Sequence, residues 1–492
     1  MSESLRPTTW WQKRRRIVDT KTNDLGSWLA SFRPDLARLL KERYCIAAEP
    51  SRSTALKNHP NGVNGSSRKR VIADPAASSF PANGNWPESA GDRLTCWEGL
   101  GRLQNSDLSQ LVDDLRFERY QASSLKVGIV SDLRRTQLLI YYWLLRPFLG
   151  PRLRKHLQRL YLRGWEKLPF PSWPVDTTVD SIFEHLLVLV MKAYHCESLP
   201  FIWFWPKEYL SCAIITHDVE TASGFKNCGR LMDLDRSFGF KASFQLVPEE
   251  RYASSRADVS RIWERGFEVN VHDLNHDGLL FSSHSTFRKR VQRINEYGRR
   301  FGASGFRAGG LYRNADWYDS LEFLYDMSIP NVAHLEPQRG GCCTVFPFFI
   351  GDIVELPVTT TQDYTLFHIL TQKSIEIWRR QISLIRQKHG LMSFIIHPDY
   401  LATANARRMY MELLKHLSDL RSEGSVWTPL PYEVASWWRL RRKLRIVFEG
   451  GAPRIEGDGS GQATLAYAAL RDGRLEYTLE QDSRYAGQES RT

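Results

Sequence analysis

Two acids spaced by one residue, Asp218 and Glu220, close the apolar run Cys212, Ala213, Ile214, Ile215. Two imidazoles at HxxxH spacing, His272 and His276, follow the run Phe267 to Val271, Arg307 follows Gly305 and Phe306, and His397 ends the run Ser393 to Ile396. Two imidazoles and one carboxylate can hold a divalent cation, zinc or another, and leave positions open for water and substrate, as a catalytic site requires. On a helical turn the HxxxH spacing sets both rings on one side. Thirteen histidines also allow that spacing as two unrelated surface residues, and it is the nearby acid pair that favours the metal reading.

Such residues converge only if the chain delivers them to one end of a sheet. From Phe201 onward short apolar runs alternate with helical stretches, the pattern of a β/α architecture whose site lies at the carboxyl ends of the strands. The expected strands are Ser211 to Thr216, Lys241 to Val247, Glu268 to Val271, Gly305 to Phe306, Ile353 to Pro357, Met392 to His397 and Ser425 to Thr428. Helical spacing runs through Ala257 to Arg265, Ser285 to Phe301, Ala315 to Met327, Ser374 to His389 and Ala404 to Arg421.

In this order the motifs resemble those of the polysaccharide deacetylases, carbohydrate esterase family four, over roughly half the chain. Thr216, His217, Asp218, Val219, Glu220 resembles the first motif, His272 to His276 the second, Arg307 the third, and Phe394, Ile395, Ile396, His397 the fifth. Tyr141, Tyr142, Arg152, Leu153, Trp173, Pro174 and Val175 are similar to the amino-terminal extension of a bacterial subgroup whose first motif reads Thr-His-Asp-Val-Glu, with the metal-binding acid two positions after the base. The resemblance implies an α/β fold, a distorted, incomplete β/α barrel. It implies that Glu220, His272 and His276 hold the cation, that Asp218 is the base, that Arg307 keeps Asp218 ionised, and that His397 is the acid for the departing amine. It also implies an oxyanion donor in the main chain after Arg307, here Ala308, Gly309, Gly310, where the family's usual Pro and Tyr are absent; Tyr312 and Arg313 could supply side-chain contacts to the sugar.

Other residues carry two readings each. Asp363 could orient His397 as a fourth-motif acid or cap a turn, and is counted with Gly309, Gly310 and Tyr312 among the substrate-binding residues. Asp273 and Asp277 could support the imidazoles or be solvated loop acids, His217 is expected to pack beside the site, and Cys342 and Cys343 to be small semi-buried residues. Trp317, Tyr318, Tyr364, Phe367 and Tyr400 could stack on sugar rings or belong to the core.

The 492 residues carry a net charge of +12 and 42% hydrophobic residues, enough for a large core and an acidic partner of some kind. Seven cysteines without a CxxC pair indicate neither a disulfide framework nor a cysteine zinc site. Residues 1–48 read as a short helical segment, 49–93 as a disordered linker, 94–200 as a mainly helical basic extension, 201–438 as the catalytic domain, and 439–492 as a small β appendage with a tail. Leu138 to Leu149 and Leu186 to Met191 are too short to cross a bilayer. They read as core helix, or, with the basic residues Arg146 to Arg163, as a helix lying on an anionic membrane surface.

The expected activity is therefore metal-dependent removal of N-acetyl groups from a polysaccharide or glycan precursor by a cytoplasmic protein, with peripheral contact to the inner membrane left open. Two alternatives remain: a deacylase or cyclic-amide hydrolase of a small substrate, and a non-catalytic module binding glycan or membrane. No motif for specific nucleic-acid recognition accompanies the basic residues.

Overall fold

The computed structural model describes residues 33–46, 69–71, 108–121, 151–193, 195–449, 452–471 and 474–480. They form two compact units: residues 116–180 with 209–439, and residues up to 115 with 181–208 and 440–492. The run Leu138 to Leu149, Tyr141 and Tyr142 of the amino-terminal resemblance, and most of 49–93 lie outside the described residues. No helix among the described residues is long and apolar enough to cross a membrane.

The larger unit is mixed α/β, built on one nine-stranded sheet. Its strands are β1 (Ser211–Val219), β2 (Ser243–Leu246), β3 (Glu268–His272), β4 (Gly305–Arg307), β5 (Tyr325–Asp326), β6 (Phe348–Ile350), β7 (Ile353–Glu355), β8 (Leu391–Ile396) and β9 (Val426–Trp427). In space the order is β8-β1-β2-β3-β4-β5-β7-β6, with β9 also on β1, and every pair is parallel except β6 with β7. Among the described residues the ladder does not close into a ring. Instead, Thr359 Oγ1 and Thr360 Oγ1, just past β7, donate to the carbonyls of Leu391 and Ser393 on β8 at 2.7 and 2.6 Å.

Helices α1 (Ala222–Ser237), α2 (Arg256–Glu264), α3 (His284–Phe301), α4 (Glu376–Gln387) and α5 (Ala404–Ser422) connect the strands. Four of the five start where a side chain can take an unsatisfied amide: Thr221, Ser255, Ser283 and Thr403 cap α1, α2, α3 and α5, whereas α4 follows Ile375 without a side-chain cap. The two-residue alternation of a strand then sorts the faces. His217, Phe244 and Val269 share one row, and Asp218, Gln245 and Asn270 the next, on the opposite face.

Helix α1 escaped the sequence reading, and the helix expected over Ala315 to Met327 is replaced by a 3-10 turn, Ala315–Ser320, and the strand β5. A two-residue strand has no period of its own. It exists because Tyr325 and Asp326 pair with Gly305 and Phe306 on one side and with Val354 and Glu355 on the other.

In the smaller unit, strands Lys69–Val71, Arg474–Glu480, Leu465–Arg471 and Ser198–Ile202 form an antiparallel sheet. Lys69–Val71 falls inside the stretch expected as linker, and Ser198–Ile202 inside the one expected as helical. The hairpin Arg445–Glu449 with Ala452–Glu456 is separate. Helix Arg33–Tyr44 buries Leu36, Leu39, Leu40 and Tyr44, and Tyr44 meets Phe201 edge-on at 5.5 Å. Leu186 to Met191 lies in helix Thr178–Ala193, where Leu186, Leu187, Val190 and Met191 are buried as core.

Candidate metal centre and active site

Strand alternation explains why the acids are spaced by one residue. Asp218 and Glu220 are two apart and Val219 between them turns the other way, its row running into Leu246. The sequence placed Val219 where an acid is commoner; here it is a fully buried core residue. His272 ends β3 with the same parity as Asn270, so it faces the same side as Asp218.

The second motif is not helical. Asp273 and His276 both have positive φ, 57° and 55°, and the segment after β3 is a loop. The expectation of a helical turn is corrected on that point: two left-handed residues bend the chain back so that the His272 and His276 rings stand 4.8 Å apart. Arg251 steadies the loop by donating to the carbonyls of Asn275 and His276.

Glu220 Oε1 lies 2.9 Å from His276 Nε2, 3.6 Å from His272 Nε2 and 3.4 Å from His397 Nε2. One ligand atom from each of Glu220, His272 and His276 falls within 4.8 Å of the others. His272 Nδ1 donates to Arg307 O at 3.1 Å, which leaves the Nε2 lone pair turned inward. Both Nε2 atoms, on His272 and His276, are buried and face Glu220 Oε1, with no well-aligned hydrogen bond among the described residues. Buried imidazole nitrogens in that condition suit a cation, and donors bound to tetrahedral zinc stand about 3.4 Å apart, close to the separations here. The donor set fits a divalent metal.

Arg307 is fully buried, and its Nη1 donates to Asp218 Oδ1 at 2.6 Å and Thr216 Oγ1 at 2.7 Å, while Nε donates to Met327 O. Burial works against the Asp218 charge, but Arg307, His272 and His397 outweigh it and hold the carboxyl below its usual range. Burial also opposes the charge of Glu220, yet His276 and His397 bring it well below the usual carboxylate range.

His397 is held from behind. Its amide donates to Asp363 Oδ2 at 2.7 Å and its Nδ1 to Asp363 Oδ1 at 2.6 Å, so Nε2 faces Glu220. Burial disfavours the imidazolium, but Asp363 first and Glu220 second push its pKa well above the ordinary histidine value. Asp363 was counted among substrate contacts; it is fully buried, with Tyr364 N also on Oδ1. The Tyr400 ring packs against His397, tilted by 39° with centroids 4.6 Å apart.

The turn after Arg307 brings Gly309 against the second-motif loop: a β-carbon there would come within 3.0 Å of His276 Cδ2. Tyr312 follows Gly310, its ring 3.3 Å from where a Gly310 β-carbon would stand. Arg313, which could have contacted the sugar, is instead buried and ion-paired with Glu118. Asp277 is tied to Arg290 at 2.7 Å. His217 packs behind the wall, its Nε2 2.8 Å from Asp235 Oδ2.

The sequence reading passed over Asp399 and Glu336. Asp399 accepts from Thr221 Oγ1 at 3.3 Å beside Glu220; it lies two residues past His397, which was the available signal. Glu336 is buried, accepts from Gln362, and burial raises its carboxyl to about 7. No spacing in the sequence pointed to it.

No protein-family model matches the chain, and no curated protein matches it. Among solved structures it is similar to a Mycobacterium smegmatis protein assigned as a polysaccharide deacetylase, with 19% identity, 50% of this chain and 96% of that one covered, and a TM-score of 0.40. The Xyl-CE4 domain of a multidomain xylanase from the hindgut metagenome of Trinervitermes trinervoides gives 12% identity, coverages of 47% and 92%, and a TM-score of 0.31. An allantoinase, Puue, gives 11% identity, coverages of 48% and 92%, and a TM-score of 0.38.

Proposed function

We propose that the larger unit is a metal-dependent amide hydrolase that removes N-acetyl groups from a glycan or glycan precursor. The observation that carries this reading is the meeting of Glu220, His272 and His276 at one point, flanked by an ionised Asp218 and a braced His397. The motif order supports it, and so does the open parallel sheet, which we read as an incomplete barrel with Thr359 and Thr360 spanning the gap.

Glu220, His272 and His276 would hold a divalent cation, which when bound would supply Lewis acidity toward the acetamide carbonyl and lower the pKa of a water. Asp218 accepts the proton of the attacking water, and Arg307 keeps that carboxylate charged and aimed by occupying its other oxygen. His397, fixed at Nδ1 by Asp363, presents Nε2 to the departing amine and gives it a proton. The turn at Gly309 and Gly310 lies beside His276, where main-chain amides can meet negative charge developing on the carbonyl oxygen. We read Tyr312, beside the Gly310 turn, and Tyr400, against His397, as contacts for the sugar.

The test is metal analysis of the purified chain together with a screen of N-acetylated sugar oligomers against small linear and cyclic amides. Stoichiometric metal with acetate release from the oligomers supports the proposal. Turnover of the small amides alone moves the substrate class, and a metal-free chain that binds glycan without turnover refutes it.

A further inference from the structure

The turn after β4 is held in a shape it would not adopt unaided. Gly310 and Leu311 both have left-handed φ, 60° and 55°. For leucine that conformation costs on the order of 1 kcal/mol, so the surroundings must impose it. The Leu311 side chain is buried against Val358 and Ile395, and its carbonyl accepts from Arg313 Nη1 at 2.7 Å.

The Arg313 guanidinium is in turn gripped on two atoms by Glu118, Nε to Oε2 at 2.6 Å and Nη2 to Oε1, with both side chains buried. Glu118 belongs to a short segment at residues 116–121, nearly two hundred positions earlier. That segment is docked just past the contact: Tyr120 Oη donates to Gly341 O at 2.8 Å and Gln121 Nε2 to Arg339 O. The fit is close enough that a β-carbon on Gly340 would collide with Gln121 and Glu118.

We propose that Glu118 is a positioning residue for the active site: through Arg313 it holds Gly310 and Leu311 left-handed, the bend that sets the turn at Gly309 beside His276. The proposal rests on the reading of that turn as part of the site. It assigns the segment at 116–121 a function in the chemistry, although no motif marks it and it lies outside the stretch that resembles a catalytic domain.

Glu118→Gln keeps the size of the side chain and removes the charge, and Glu118→Asp keeps the charge. In the full chain, hydrogen exchange followed by mass spectrometry on a peptide covering 308–313 should quicken about tenfold or more in Glu118→Gln, with peptides from β1 and β3 unchanged and zinc content retained. On an N-acetylated oligomer, kcat should fall about tenfold with KM within about threefold, and Glu118→Asp should recover most of the loss. Unchanged exchange at 308–313, or acceleration spread evenly over the unit, overturns the proposal. If the wild-type chain turns over no acetylated sugar, the functional reading fails while the exchange result still decides this one. Should Glu118→Gln not fold, Glu118→Gln with Arg313→Met removes the stranded buried charge as well; loop-restricted acceleration then supports the proposal, and wild-type exchange refutes it.

Discussion

Asp363 grips His397 with both carboxylate oxygens at once, one on the amide at 2.7 Å and one on Nδ1 at 2.6 Å. The grip fixes the ring, selects the tautomer with Nε2 toward Glu220, and favours the protonated form that an acid catalyst needs.

Asp363→Asn should therefore keep the fold and the metal but lower kcat by about a hundredfold, since an amide cannot both orient the ring and stabilise its charge. Steady-state kinetics beside metal analysis checks it. Wild-type turnover would show that His397 does not depend on Asp363.

The two acids of the first motif should separate cleanly. Glu220→Gln is expected to empty the site, because it removes the sole carboxylate among the three converging ligands. Asp218→Asn is expected to retain metal and lose about a hundredfold or more of turnover. Metal content after gel filtration, with activity on the same samples, decides; the reverse assignment would exchange the two roles.

His217 forms a buried pair with Asp235, which also accepts from Tyr410 Oη at 2.5 Å. Asp235→Ala strands an imidazole in an apolar wall, and a loss of about 3 kcal/mol is expected, read from denaturant midpoints. A loss under about 1 kcal/mol would mean that the pair contributes little.

Glu268, at the opposite end of β3 from His272, is fully buried and accepts from Tyr325 Oη and Tyr432 N. Burial raises its carboxyl to about 7 from 4.5, despite those hydrogen bonds. An acid with a raised folded value binds its proton more tightly when folded, so its share of stability is present at low pH. That share falls as pH climbs from 4.5 to about 7, by about 3 kcal/mol, and is constant above. Glu268→Gln should flatten that part of the pH dependence. Glu336, also raised to about 7, leaves its own slope in the variant. Identical pH profiles for variant and wild type would refute the assignment.

The sequence was most legible where residues adjacent in the chain act together. Strand ends bearing Asp218, His272, Arg307 and His397 could be read from apolar runs that stop at a polar residue, and period-two alternation set Asp218 and Glu220 on one face. Neither β5 nor the outer strand Lys69–Val71 could be read in that way, because each is defined by partners rather than by its own pattern.

Residue types and spacing by themselves determined which side chains could bind a cation, move a proton and accept a charge, since those capacities are chemical and travel with the residue. Tertiary structure alone decided that His272 and His276 meet through left-handed loop residues instead of a helical turn, and that Arg313 faces Glu118 and not a sugar. Conformation in loops and contacts between distant segments depend on what packs against them, and no local pattern in the chain encodes that.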